Sequence, residues 1–496
     1  MAVAFNASTY LLASGSDSQV AVTGPAGSLT YAELRAQVAR VATGLVAMGV
    51  RPEERVALVM SDRPETVVMI LAAMRMGAVA VPLSTMYTGG ELGELIRDSR
   101  ARLVVATPEF ADLAAPGIVT GDSAWEALQA HGGTAPPYDT WEDSPALWLY
   151  TSGTTGTPKA AMHRHRSVRQ VCETYAAQVL GVTATDRCFS AAKLFFAYGL
   201  GNSLFFPLSA GATAVLDPAR PTPAGVAERL AADRPTLFFG GPTFYAALLN
   251  AGVPAEAFSS VRLAVSAGEA LPAEIYRRFT TRYGVDVIDG IGSTEALHIF
   301  ISNRPGAVRP GTSGTPVPGY EAKLVGEDAT DVPDGEPGHL LVRGDSIATG
   351  YWCRTAATRQ VFLGEWLRTG DTYVRSADGF FTCLGRSNDM IKAGGIWVSP
   401  NEVEARLIEH PSVAECAVVP YISGDGLERP VACVVAASGQ TVDPAALILF
   451  CREGLAAFKR PREVLVVDSL PKTATGKIRR IEVRDLAATL LRKSPP

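Results

Sequence analysis

Tyr150-Thr151-Ser152-Gly153-Thr154-Thr155-Gly156-Thr157-Pro158-Lys159 packs hydroxyls, glycines and a lysine into ten residues, directly after the apolar run Ala146-Leu147-Trp148-Leu149. Glycines let a backbone approach an anion closely and turn its N–H groups inward, while hydroxyls and an ammonium add donors. This is the chemistry of a polyphosphate cradle leaving a strand. The spacing is not that of the common phosphate loop, because the lysine stands three residues after the second glycine and follows a proline. A competing reading of the stretch by itself is a Ser/Thr/Gly linker between domains. The remaining chain decides between them.

At 496 residues the chain is too long for one core, and about two to four domains are expected. A hydrophobic content of 47% with 19% charged residues describes an ordinary globular protein. The net charge of -5 gives no global attraction to nucleic acid or anionic lipid, so neither is expected as a partner and any anion must be bound by local design. Seven cysteines are scattered without a C-x-x-C pair or zinc-spaced histidines, which reads as reduced thiols in a cytoplasmic protein. The first twelve residues carry no basic residue ahead of their short apolar run, so no secretory signal is expected. Residues 194–216 hold no charge and are long enough to span a bilayer, but Gly199, Gly201, Asn202, Pro207, Ser209 and Gly211 divide them into a loop, a short helix and a strand. That pattern suits a buried wall in a large soluble domain.

Along the chain, residues 19–22 and 27–30 read as a short hairpin, and Thr30 with Glu33 forms a capping box opening a helix to residue 48. Strand 55–60, helix 64–76 and strand 78–83 form a parallel unit with a right-handed crossover. Strands 102–106 and 146–150 follow, then the opening loop and a helix over 167–180. Further units are strand 213–216, strand 236–239 with helix 243–249, and strand 261–265 with helix 273–283. The expected class is α/β, with two layered sheets in a large N-terminal domain. Near Pro318 and Gly319 the pattern turns to strands at 321–325, 339–342, 372–375 and 380–383, a small β subdomain. The stretch from 387 onward reads as a separate α+β domain, giving a division into residues 1–386 and 387–496.

Four stretches carry chemistry alongside the loop. Asp289-Gly290-Ile291-Gly292-Ser293-Thr294-Glu295 puts a carboxylate beyond a glycine turn that follows a strand, a position suited to Mg²⁺ on a nucleotide. Thr369-Gly370-Asp371 presents an acid able to hold both hydroxyls of a ribose, and Gly385-Arg386 could reach ribose or phosphate. Pro471-Lys472-Thr473-Ala474-Thr475-Gly476-Lys477 is a Gly-containing loop bearing a lysine. Singly, each reads more readily as solvated surface.

In this order and spacing the motifs resemble the acyl-adenylate-forming superfamily of acyl- and aryl-CoA synthetases, adenylation domains and luciferases, over nearly the whole chain. The resemblance implies an AMP-forming acid-thiol ligase using ATP and Mg²⁺, with a small mobile C-terminal domain. By family position Lys477 bridges the acid and the α-phosphate. Thr151, Ser152, Gly153, Thr154, Thr155, Gly156 and Lys159 form the pyrophosphate loop. Thr294 and Glu295 serve phosphate and metal. Ala267, Gly268 and Glu269 are similar to the strip against adenine, with Asp289 as partner of its amino group beside Gly290 and Ile291. Asp371 and Arg386 would hold ribose, and Asn388 marks the hinge. The chain departs from the family's pattern at Asn388, usually Asp or Lys; at Ala160, usually Gly; and at Ile291, usually aromatic.

Residues 193–202 and 290–300 further resemble benzoate-CoA ligases. On that resemblance Ala197, Tyr198, Gly199, Gly292, His298 and Ile299 line the acid pocket and Phe196 its gate, with small residues on facing walls leaving a flat slot for a ring. Without it, core packing is the better reading of these aromatics. His298 or Tyr198 is placed to serve an ortho substituent, so salicylate and anthranilate stay open. Gly394 and Gly395 resemble the rim of a pantetheine tunnel. Coenzyme A is the favoured acceptor, an acyl carrier protein the alternative and a nucleotide-binding protein without ligase activity the third reading; a homodimer is left open.

Overall fold

The computed structural model describes residues 3–113, 117–131, 136–152, 158–393, 396–422, 428–473 and 477–493. The chain is α/β, as expected, and among these residues two large sheets carry the fold. One holds six strands in the order Ile118–Val119, Leu103–Ala106, Arg55–Val59, Val79–Pro82, Pro145–Ser152 and Pro158–Arg164, parallel except for the last pair. The other has nine, with Arg187–Ser190, Leu237–Gly240, Leu263–Ala267 and Val287–Gly292 parallel at its centre. The helix Pro64–Arg75 is apolar on every side and nearly all its residues are buried. A helix with no polar face belongs in the interior of a layered domain. The helix Tyr31–Ala47, opened by the Thr30 and Glu33 capping box, packs beside it.

Sequence reasoning passed over several elements. The stretch after the opening loop forms the strand Pro158–Arg164, antiparallel to Pro145–Ser152 with Thr151 opposite Lys159, so the loop joins a hairpin instead of leading into a helix. The helix that follows begins at His165, continues in π-helical turns over Cys172–Leu180 and ends on Gly181. The helix Gly89–Ser99 was also missed, though Thr88 and Glu91 form a capping box that the sequence displays. Asp289 lies within the strand Val287–Gly292, not beyond it.

The β subdomain is an antiparallel sheet of Tyr320–Val325, Pro337–Gly344, Trp366–Arg375, Phe381–Arg386 and the short Phe362–Leu363. The C-terminal part pairs Val413–Ile422, Glu428–Ala436 and Glu463–Val466. Helices Pro400–Ile408 and Pro444–Gly454 pack on this sheet around Val403, Leu407, Val418, Val434 and Leu447, and the helix Arg480–Lys493 closes the chain.

Candidate functional site

Ligands of open parallel sheets sit at the carboxyl ends of the strands. Here Ser266 pairs with Asp289 and Ala267 with Gly290, so the Ala267-Gly268-Glu269 turn and the Asp289 carboxyl lie side by side at such an edge. Asp289 is buried, and its Oδ1 has no hydrogen-bond partner among the described residues. A buried acceptor without a donor fits an exocyclic amino group. Ile291 is partly buried against the main core, so the aliphatic side chain contributes packing at this edge.

The Asp289 carboxyl is pushed up to about 8 by burial, which outweighs the neighbouring Ser266, Leu271 and Gly290. An acid with a raised folded pKa binds its proton more tightly when folded. Its contribution to stability is full below the unfolded value of 3.8 and is lost as pH rises through about 8. In thermal melts of the ligand-free protein, the melting temperature relative to Asp289→Asn therefore falls from about pH 4 to about pH 8. A difference independent of pH contradicts the assignment.

Lys159 and Glu295 are joined by a residue the sequence did not flag. Tyr351 donates its hydroxyl to Glu295 Oε1 at 2.7 Å, and the Lys159 ammonium lies 5.6 Å from the same ring's centroid. The Ala348 amide donates to the Glu295 carbonyl, fixing the backbone there as well. His163, four residues after Lys159 on the hairpin, sits 2.8 Å from the Thr294 carbonyl through Nε2; burial pushes its pKa down to about 4, so the ring is neutral. The strand Pro158–Arg164 is thus fastened to the Thr294-Glu295 turn. An aromatic after a glycine and a histidine in an alternating strand both read as core, and nothing local marks them as links. Gly153, Thr154, Thr155 and Gly156 lie outside the described residues, as do Gly394 and Gly395; for Ser152 only the backbone pairing with Pro158 is described.

Asp371 and Arg386 face each other across antiparallel strands and form an ion pair at 3.2 Å, with Arg386 also donating to the Thr369 carbonyl at 3.0 Å. Burial raises the Asp371 carboxyl, opposed by Arg386, Thr369 and Lys477. Lys477 reaches this cleft from the C-terminal part. A methyl group placed on Gly268 would stand 3.3 Å from Lys477 Cε. Desolvation lowers the lysine's pKa while Glu269 and Asp371 oppose the shift. Asn388 occupies an exposed turn between two ion pairs, Asp371 with Arg386 and Asp389 with Arg480.

The aromatic residues lie at the start of the helix Ala197–Leu200 and just ahead of the strand Ile299–Ser302. Tyr198 donates to the Val265 carbonyl at 3.0 Å, so its one O–H donor is engaged and its oxygen is what it has left to offer as an acceptor. His298 is buried among Tyr175, Tyr198 and Phe206, paired through Nε2 with Asn202 Oδ1 at 3.1 Å, and burial pushes its pKa down to about 3. Phe196 packs edge-on against Phe195 ahead of Ala197, and Ile299 is buried beside Gly290. Gly199 and Gly292 are small for a reason other than a slot. A Cβ on Gly199 would lie 2.0 Å from the Lys193 carbonyl oxygen and one on Gly292 2.4 Å from that of His298, so neighbouring backbone demands them.

The residues present fit a nucleotide with Mg²⁺. Among the described residues no group of three or more His, Cys, Asp or Glu could hold a metal by itself. Magnesium is commonly held by one or two carboxylates together with substrate phosphates, and Glu295 offers such a carboxylate beside Lys159.

Comparison with known proteins agrees. The family model described as AMP-binding enzyme matches residues 13–352, and that of the AMP-binding enzyme C-terminal domain matches 402–477. A 4-hydroxybenzoate–CoA/benzoate–CoA ligase of Rhodopseudomonas palustris is 43% identical, covering 96% of this chain and 92% of its own. The crystal structure of a benzoate CoA ligase from Burkholderia xenovorans LB400 superposes with a TM-score of 0.92 at 42% identity, over 97% of this chain and 100% of that one. An anthranilate CoA ligase in complex with anthranoyl-AMP gives 0.94 at 38% identity, over 99% of both. No helix among the described residues is long and apolar enough to cross a membrane.

Proposed function

This chain belongs to the AMP-binding enzyme family, and on that premise we propose that it activates an aromatic carboxylic acid, benzoate or a close analogue, and transfers it to coenzyme A. A carboxylate oxygen attacks the α-phosphorus of ATP, giving the acyl-adenylate and pyrophosphate. The thiol of coenzyme A then attacks the acyl carbon, and AMP leaves. Neither step needs a protein nucleophile. The difficulty is bringing two anions together, and positioning with positive charge overcomes it.

Lys477 supplies that charge between the acid and the α-phosphate. Lys159 with Thr151 and the rest of the hairpin loop grips the departing phosphates, and Thr294 and Glu295 serve phosphate and metal. Bound Mg²⁺ neutralises phosphate oxygens. Asp289 accepts from the adenine amino group, the 267–269 turn flanks the base, and Asp371 and Arg386 hold the ribose. The ring enters between Phe196, Ala197, Tyr198, His298 and Ile299. Residues 387–496 act as a small domain turning at Asn388 between the two half-reactions, and Gly394 and Gly395 border the thiol's path. The carrying observation is that Lys477, from the far end of the chain, lies against Gly268 at the strand edge that also bears Asp289. Seven unpaired cysteines favour the cytoplasm as its place.

ATP–pyrophosphate exchange across a panel of acids tests the reading. Exchange is expected with benzoate and with hydroxy- or aminobenzoates, and exchange confined to acetate or fatty acids overturns it. Thioester formation on free coenzyme A, compared with a phosphopantetheinylated carrier protein, tests the acceptor; acylation of the carrier alone reassigns it.

A further inference from the structure

Glu269 does something that a turn flanking a base does not require. Its Oε2 accepts from the Thr243 hydroxyl at 3.1 Å, which fixes the carboxylate from its own domain. Its Oε1 accepts the backbone N–H of Ile478 at 3.3 Å, from the residue after Lys477. The Lys477 ammonium and the Arg480 guanidinium both add attraction to the same carboxylate. Arg480 is in turn forked onto Glu404 at 2.6 and 2.9 Å and bonded to Asn401 at 3.2 Å, so the short stretch 477–480 is held to its own domain at one end and to Glu269 at the other. Gly268 completes the fit: its φ of +98° admits no ordinary side chain, and Lys477 lies across the open backbone.

We propose that Glu269 is a positioning residue that latches the Lys477 segment over the nucleotide edge, setting the lysine for acid activation and letting it go for thioester formation. The inference rests on the proposed two-step reaction. A hydrogen bond to a charged acceptor is the main tie, and losing it is expected to lower the rate of pyrophosphate exchange in Glu269→Ala by about ten- to a hundredfold. Glu269→Gln keeps an acceptor for the Ile478 amide and recovers part of that rate. Transfer from saturating pre-formed benzoyl-AMP to coenzyme A is slowed much less than exchange, since the latch is open in that step.

The effect falls on kcat, whereas a residue that only flanked adenine would raise KM for ATP. A readout free of turnover is trypsin cleavage after Lys477, which is faster in the full-length Glu269→Ala protein at unchanged melting temperature. Lys477→Ala is the control for the underlying reading: if it leaves exchange intact, the reaction itself is misassigned. If Lys477→Ala abolishes exchange while Glu269→Ala shows wild-type exchange and wild-type cleavage, or impairs both half-reactions equally, the latch is overturned.

Discussion

Lys477→Ala is expected to slow acyl-adenylate formation on the order of a thousandfold while leaving thioester formation from pre-formed acyl-adenylate within about tenfold. A unit charge about 4 Å from the reacting oxygens, at an effective dielectric of about 20, contributes roughly 4 kcal/mol, and about 1.4 kcal/mol is a factor of ten. The structure places this ammonium beside Gly268, with Glu269 and Asp371 holding it charged against the desolvation that lowers its pKa. Lys477→Arg keeps the charge but not the compact ammonium, and recovers only part of the rate. Single-turnover measurement of each half-reaction checks this. Equal loss in both contradicts a lysine used in one step.

Glu295→Gln is the second large effect. The amide keeps the side chain's size and still accepts from the Tyr351 hydroxyl, so the local fold survives. What disappears is the negative charge that would hold Mg²⁺ against the phosphates. Removing one preorganised electrostatic partner costs about a hundred- to a thousandfold, and a loss of about a hundredfold in exchange is expected at ordinary magnesium. A magnesium titration separates this from misfolding: the half-saturating concentration rises in Glu295→Gln, and chelation abolishes exchange in both proteins. An unchanged magnesium requirement contradicts the role given to Glu295.

The fold was legible where patterning is local. The capping box at Thr30, the all-apolar run of Pro64–Arg75 and the strand-helix alternation through Tyr283 each follow from period and caps, and the structure has them. The strand Pro158–Arg164 was not legible because its pairing is with a segment across a glycine-rich loop, and its Lys-Ala-Ala-Met-His alternation is too weak alone to compete with a helix. The motifs of the site were legible as chemistry: glycines, hydroxyls and isolated charges next to glycines. Their connections were not, since Tyr351, His163 and Asn202 look like any buried polar or aromatic residue until their partners are known.

By itself, then, the sequence determined the class of fold, the family and the residue types proposed to meet a nucleotide and an acid, because hydrophobic period, turn chemistry and motif spacing are properties of neighbours in the chain. Tertiary structure alone decided that the Tyr198 hydroxyl donates to Val265, that Gly199 and Gly292 answer to nearby carbonyls, and that Glu269 reaches across to Ile478. Those facts depend on which distant backbone groups compete for each donor, acceptor and space, and that competition exists only once the chain is folded.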